Sequence, residues 1–368
     1  MKRFLFAGGG TGGHLFPSIA IWEQIQALAG PDEACARFVC SNRPLDGKIL
    51  REAGVDYETV QAAPFGSRPR TLARFLIGWR QAVRQGLSLL AEEETEVVAM
   101  GGFVAGPIVQ AARKRGRRVT LVNLDAIPGK SNHYVAARAD RVLSAVPIAI
   151  DDPRGVFREI TGMPVRLAAR TTGDREACRR ELDLDPALPT LLVTGASQGA
   201  ASINHWIEHI CRHTPDLLAG WQVLHLGGRG KEEALRQVYA DTGIPAQVMP
   251  FCSRRGLAWG AAEAAVSRAG AGSVAEAAVN RVPTLFLPYP YHKDQHQRTN
   301  PLRLTEANGG ILGEDHIEPT ENALANGDSL RWLLTSAEVR QSMRDALEAI
   351  EDGQGAERIA ALLLAREP

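Results

Sequence analysis

Short apolar runs alternate with longer stretches of helical spacing from one end of the chain to the other. Residues 3–7, 37–40, 97–100, 119–122, 190–194, 222–225, 264–267 and 283–287 have the length and nearly unbroken apolar character of strands buried on both faces. Between them, residues 16–28, 104–114, 202–212 and 273–279 read as helices, and the stretch after about Thr320 reads as two or three more with Leu and Ala on one face. Alternation of β and α units predicts an α/β fold of parallel sheets covered by helices on both faces.

The pattern occurs twice. A glycine-rich loop follows the first strand (Gly8 to Gly13), and a second follows the strand ending at Thr194 (Gly195 to Ala200). Each starts a fresh βα series. Between them, residues 147–189 are rich in Pro, Gly, Arg and Asp, with a hinge expected near Thr161–Val165. This predicts two Rossmann-like, doubly wound domains, 1–163 and 164–368, with the last helix able to return to the first. Such sheets bind ligands at the carboxyl ends of their strands. Two such edges facing each other would share one central cleft.

A length of 368 residues suits two domains, and 45% apolar with 23% charged residues suits a globular protein. Lys+Arg and Asp+Glu both total 42, which argues against a global basic field for nucleic acid. Five scattered cysteines without a CxxC suggest neither a disulfide framework nor a zinc site and fit reduced thiols in a cytoplasmic protein. The opening MKRFLFAGGG is too short for a signal sequence, and no stretch reaches bilayer-spanning length.

Gly8, Gly10 and Gly13 satisfy GxGxxG between a strand and a helix. Glycines let the backbone turn tightly and approach a ligand, and the helix N-terminus behind them favours anions. A dinucleotide site would want an acidic residue at the end of the second strand. Ser41-Asn42-Arg43 stands there instead, which weakens that reading. In the second loop, Ser197, Gln198 and Gly199 are placed to cradle a diphosphate. Gly129-Lys130-Ser131 lacks the upstream glycine of a P-loop. Asp183-Leu184-Asp185, a formal DxD, lies in an acidic linker expected to face solvent.

Seven motifs, in order, resemble the MurG glycosyltransferases. They are Gly9-Gly10-Thr11-Gly12-Gly13-His14 running to Pro17, Gly101-Gly102-Phe103-Val104-Ala105-Gly106-Pro107, and Ile127-Pro128-Gly129 with Asn132. Gly162-Met163-Pro164-Val165-Arg166, Gly195-Ala196-Ser197-Gln198-Gly199-Ala200, Arg268-Ala269-Gly270-Ala271 with Glu276, and His296-Gln297 with Asn300 complete the set. The resemblance spans nearly the whole chain. It implies a GT-B fold and inverting transfer of N-acetylglucosamine from UDP-GlcNAc to an undecaprenyl-diphosphate-linked muramyl pentapeptide, with no cofactor and no required metal. By resemblance, Thr11, Gly12, Gly13, Arg166, Ser197, Gln198, Gly199, Cys252, Arg268, Ala271, Glu276, His296 and Gln297 serve the donor, with Glu276 on the ribose. Gly102, Phe103 and Asn132 lie on the acceptor side. A base must take the acceptor's proton, and His14, a histidine at the glycine loop, suits that role.

The chain also departs from the family. A His-Glu-Gln-Asn run is replaced by Val122-Asn123-Leu124-Asp125, and a Tyr by Phe103. The first change leaves the acceptor and the sugar open, and it makes Asp125 an alternative base. Pro301 stands where the family has Ala. Between Pro64 and Leu90, Phe65, Leu72, Phe75, Leu76, Ile77 and Trp79 mingle with Arg68, Arg70, Arg74, Arg80 and Arg84. That mixture suits either an anionic membrane surface, such as the inner face of the cell membrane, or a helix packed on its own domain. Expected partners are a UDP-sugar, a lipid-linked acceptor, the membrane surface and other cell-wall assembly proteins. Open alternatives are a different acceptor, a non-catalytic UDP-sugar-binding protein and, more remotely, a dinucleotide oxidoreductase.

Overall fold

A computed structural model of the chain describes residues 1–10, 12–30, 32–66, 68–91, 94–195, 199–291 and 296–365, with the side chain of His296 outside that set. The chain divides into two compact units, Met1–Arg166 with Gly353–Pro368, and Leu167–Asp352.

The first unit holds β1 (Lys2–Ala7), α1 (Gly12–Ala29), β2 (Ala34–Ser41), α2 (Pro44–Glu52), β3 (Tyr57–Val60), α3 (Pro69–Leu89), β4 (Thr95–Ala99), α4 (Gly102–Lys114), β5 (Val119–Asn123), α5 (Lys130–Ala136) and β6 (Arg141–Ser144). Its sheet is parallel, in the order β3-β2-β1-β4-β5-β6. The register sets Ala7 between Val39 and Ala99. Leu5, Val39, Val97 and Leu121 form one buried cluster with Val104, Ile108 and Val109 of α4. Each such side chain contributes roughly 1.5–3 kcal/mol by leaving water.

The second unit repeats the plan. It holds α6 (Arg175–Arg180), β7 (Thr190–Thr194), α7 (Ala201–His213), β8 (Gln222–Leu226), α8 (Glu232–Thr242), β9 (Ala246–Met249), α9 (Arg255–Ala261), β10 (Ala264–Ser267), α10 (Ala271–Val279), β11 (Thr284–Phe286), α11 (His296–Thr299), α12 (Leu302–Glu306), β12 (Gly310–Leu312), α13 (Pro319–Thr335) and α14 (Ala337–Ile350). Its parallel sheet runs β12-β11-β10-β7-β8-β9. Leu191, Val193, Val223 and Val266 are buried with Ile203, Trp206 and Ile207 of α7. Asp174 and Ser336 cap α6 and α14 by accepting from Ala177 N and Val339 N. Together the units give the expected α/β class, two doubly wound parallel sheets.

Two details differ from the sequence expectation. The boundary falls at Arg166/Leu167 rather than 163/164. Met163 and Val165 are buried, and the Arg166 guanidinium lies 4.0 Å from the Phe16 ring centroid of α1, so residues 164–166 pack with the first unit. The second difference is that four strands, β3, β6, β9 and β12, were not expected, and all four are sheet edges. The final helix, α15 (Gly355–Leu364), belongs to the first unit and packs beside α1. Arg358 Nη1 donates to Thr161 O at 2.8 Å, and Arg141 Nη1 to Leu362 O at 3.3 Å.

Candidate active site

In a doubly wound sheet the crevice opens where strand order reverses. In the first unit that point lies between β1 and β4. β1 runs into the Gly8–Gly13 turn and β4 into Gly101, Gly102 and Phe103. At Gly10 φ is 89°, and an added Cβ would lie 2.5 Å from the Phe103 ring; only glycine fits both demands. Gly12 and Gly13 open α1, whose first turn carries His14. A Cβ on Gly102 would stand 2.9 Å from Gly9 O and 3.2 Å from the His14 ring. The imidazole is therefore packed against both turns. Thr11 lies outside the described residues.

Hydrogen bonds from side chains order the far wall. Asn132 Nδ2 donates to Asn123 Oδ1 at 2.8 Å, and Asn123 Nδ2 donates to Asp125 O at 2.8 Å and Ser144 Oγ at 3.0 Å. Ser131 Oγ donates to Gly102 O at 2.5 Å. Asn123, the residue that fixes the backbone at Asp125, was not singled out from sequence; its signal was its place at the end of β5. Burial pushes the His14 pKa down, while Asp125, a hydrogen bond with the Gly9 backbone and Asp46 push it back up. The Asp125 charge thus favours the protonated form of His14, which links the two candidates for the base electrostatically.

An acidic residue does follow β2, in the form of Asp46. It is wholly buried and accepts from Gly10 N at 2.7 Å. It faces the unit's own glycine turn, not a site open to a ribose, so the dinucleotide reading gains nothing from it. Burial of the Cys40 thiol, with the Asp46 charge beside it, pushes that thiol up to about 12.

In the second unit the order reverses between β7 and β10. Gly195 and Gly199 flank Ser197 and Gln198, which lie outside the described residues. Gly199 has φ 74°, and a Cβ there would sit 2.5 Å from Gly227 O. After β10 the chain passes through Arg268 into α10, which begins at Ala271. On that helix Glu276 Oε2 accepts from Arg255 Nε at 2.9 Å, Arg255 Nη2 at 2.8 Å and Trp259 Nε1 at 2.8 Å. Arg255 and Trp259 thus hold the carboxylate through one oxygen and fix its orientation. Arg255 and Trp259 carry no sequence signal for this role.

Other expected donor contacts are placed differently. Arg268 is buried, and its guanidinium donates to Leu287 O, Pro288 O, Asp315 Oδ2 and Ser202 Oγ. Its side chain thus braces β10 against Asp315. Arg166 belongs to the first unit, on Phe16. Cys252 is buried, donates to Arg254 O at 3.2 Å, and has its thiol pKa pushed up by burial. Gln297 Oε1 accepts from Tyr289 N at 3.0 Å, and Asn300 Nδ2 donates to Ala269 O at 3.0 Å, tying α11 to the β10–α10 turn. The His296 side chain is outside the described residues. Asp183 has φ 56° and Asp185 accepts from Ala187 N; both belong to a solvent-facing turn.

On α3 the apolar positions split. Trp79 turns inward: it packs at Gly106, stacks edge-on to Tyr134 and donates to Gln110 Oε1 at 2.5 Å. Phe75 bridges Phe65 and Trp79. Phe65, Leu72, Leu76 and Ile77 stay exposed, with Arg68, Arg70, Arg74, Arg80 and Arg84 exposed around them. Among the described residues no helix is long and apolar enough to cross a membrane.

Residues 4–144 match the glycosyltransferase family 28 N-terminal domain, and residues 190–353 the family 28 C-terminal domain. The chain is 33% identical, over 382 residues, to the UDP-N-acetylglucosamine--N-acetylmuramyl-(pentapeptide) pyrophosphoryl-undecaprenol N-acetylglucosamine transferase of Sorangium cellulosum (strain So ce56), covering 100% of this chain and 90% of that one. It is 32% identical over 370 residues to the protein of the same name from Clavibacter sepedonicus, covering 99% and 96%. In fold it is similar to Acinetobacter baumannii MurG, with a TM-score of 0.72 and 22% identity over 99% of each chain. It is also similar to the calicheamicin glycosyltransferase CalG4, with a TM-score of 0.64 and 15% identity over 99% and 97%. With both domain models matched in order and the curated relatives aligned along nearly its entire length, the chain belongs to glycosyltransferase family 28 and, within it, to the MurG family.

Proposed function

We propose that this enzyme transfers N-acetylglucosamine from UDP-N-acetylglucosamine to undecaprenyl-diphosphate-linked muramyl pentapeptide, with inversion and without a required metal. What carries the reading is the full-length likeness to transferases whose printed name states that reaction. The chemistry of the two switch points supports it. The acceptor hydroxyl attacks the anomeric carbon, the bond to the β-phosphate breaks, UDP departs, and the hydroxyl proton passes to His14. Negative charge growing on the diphosphate is met by backbone N–H groups of the 195–200 loop and the N-terminus of α7. Glu276, held by Arg255 and Trp259, offers its second oxygen to a ribose hydroxyl. The exposed apolar residues of α3 and the preceding loop, ringed by arginines, suit contact with an anionic membrane where a lipid-linked acceptor resides.

The test is acceptor-dependent UDP release by the purified protein, with a short-chain lipid-linked muramyl pentapeptide and UDP-N-acetylglucosamine, UDP-glucose and UDP-galactose as parallel donors. Release with the first donor alone supports the reading. Tight UDP-sugar binding without release would favour another acceptor or a non-catalytic role, a reading to which the Val122–Asp125 segment already points.

A further inference from the structure

The glycine turn after β1 is held from outside its own strand. Gly10 N donates to Asp46 Oδ2 at 2.7 Å, and Ser41 Oγ donates to the same oxygen at 2.6 Å. The Gly10 carbonyl accepts from Arg43 Nη1, and the Arg43 guanidinium lies 5.5 Å from the centroid of the Phe103 ring that covers Gly10. One short segment, from the end of β2 into α2, therefore grips both backbone polar groups of one residue. Asp46 is fully buried, and its Oδ1 has no hydrogen-bond partner among the described residues. A carboxylate left half-satisfied in a core is costly and calls for a purpose.

That purpose is visible in what the turn carries. Its N–H at Gly10 is already committed to a fixed negative charge, so this turn is not free to cradle a phosphate there. It leads instead into His14, whose ring packs on Gly102 beside Gly9 O. We propose that Asp46 and Arg43 are positioning residues for His14, clamping Gly10 from both sides so that the imidazole is aimed at the acceptor hydroxyl. The inference rests on His14 being the base. A misplacement of about 1 Å can cost about 100-fold in rate, so a clamp on the turn bears directly on turnover. Asp46 has a second effect through its charge. The groups that act on His14 are Asp125 from the loop after β5, Asp46 from α2 and the Gly9 backbone, all opposing the downward push of burial.

The experiment uses the full chain and compares Asp46→Ala, Asp46→Asn, Arg43→Ala and Arg43→Lys with His14→Ala. Turnover, donor KM, the pH dependence of kcat/KM and the NMR titration of the His14 imidazole are read for each. Asp46→Ala should lower kcat about 10- to 100-fold with donor KM within about twofold, the signature of a lost positioning contact. Asp46→Asn can still accept from Gly10 N, so it should keep most of kcat. It removes a charge that favours protonated His14, so the acid limb and the NMR midpoint should both move to lower pH. Arg43→Lys should retain more activity than Arg43→Ala. Wild-type kcat and unmoved pH limbs in the Asp46 variants, with only a lower urea midpoint, would make the clamp purely structural and overturn the inference. Should Asp46→Ala fail to fold, kcat against donor KM in Arg43→Ala and Arg43→Lys decides, and wild-type kcat in both overturns the clamp. A fully active His14→Ala overturns this inference together with the base assignment. An inactive His14→Ala beside normal Asp46 variants overturns the clamp only.

Discussion

The two switch points share one topology and carry opposite charge arrangements. In the first unit His14 stands under the influence of two carboxylates, Asp125 and Asp46. In the second, two acids among the described residues of the corresponding edge are each matched by a buried arginine: Glu276 by Arg255 and Asp315 by Arg268. Two histidines repeat the contrast. His14 answers to charged neighbours. His225, in β8, meets neutral Tyr239 and Asn204, at 2.8 Å and 3.1 Å, and burial pushes its pKa down to about 3. The fold places a crevice in both units, and the charges decide its use. A carboxylate-flanked imidazole suits proton acceptance. An edge whose acids are neutralised suits a departing diphosphate, which surplus negative charge would repel.

Four perturbations test this contrast, in descending size. Asp315→Ala strands the Arg268 guanidinium in the core of the second unit, and breaking a buried pair costs about 3–5 kcal/mol; urea unfolding reads it, and a loss under about 1 kcal/mol would mean the pair is not integral. His14→Ala should lower turnover at least about 100-fold, in the range of a lost general base. Asp125→Asn sharpens that result. If His14 is the base, the variant stays active and its acid limb moves to lower pH, because a charge stabilising protonated His14 is gone; if Asp125 is the base, turnover collapses instead. Arg255→Met should raise the donor KM about tenfold while kcat holds, since Glu276 loses one of the two partners that orient it; an unchanged KM would mean that Arg255 does not act on donor binding through Glu276.

The smallest effect concerns His225. Above about pH 6.5 it is neutral both folded and unfolded. Between there and about 3 only the unfolded chain takes up a proton, so stability falls as pH falls, by about 1.4 kcal/mol per pH unit. His225→Gln should flatten the pH dependence of the urea midpoint by that slope. An equal slope in both proteins would place the acid sensitivity elsewhere.

What sequence could and could not reveal follows from where the physics is local. The four inner strands of each sheet announce themselves because a parallel strand buried on both faces must be apolar throughout. The four outer strands do not: β3 reads Tyr-Glu-Thr-Val with two exposed positions, and β9 begins with exposed Ala246. Edge strands carry polar residues for solvent. His14, Glu276 and the glycine loops were legible as motifs. Asp46 and Arg255 were not, because their roles exist only after folding brings them to partners 36 and 21 residues away. Trp79 misled for the opposite reason. Beside arginines it suggests a lipid surface, yet its ring is held by Gln110 and Tyr134.

The return of α15 to the first unit also bears on how the chain is made. Ile359, Ala360 and Leu363 are buried, and they lie on the helix that packs beside α1. A ribosome delivers α1 early and its cover only after the entire second unit has emerged. The second unit, continuous from Leu167 to Asp352, has all its residues before the first has its final helix. During that interval apolar surface on α1 stands open to chaperones or to aggregation, which makes the arrival of α15 a checkpoint on whether the amino-terminal half of a nascent molecule is ever finished.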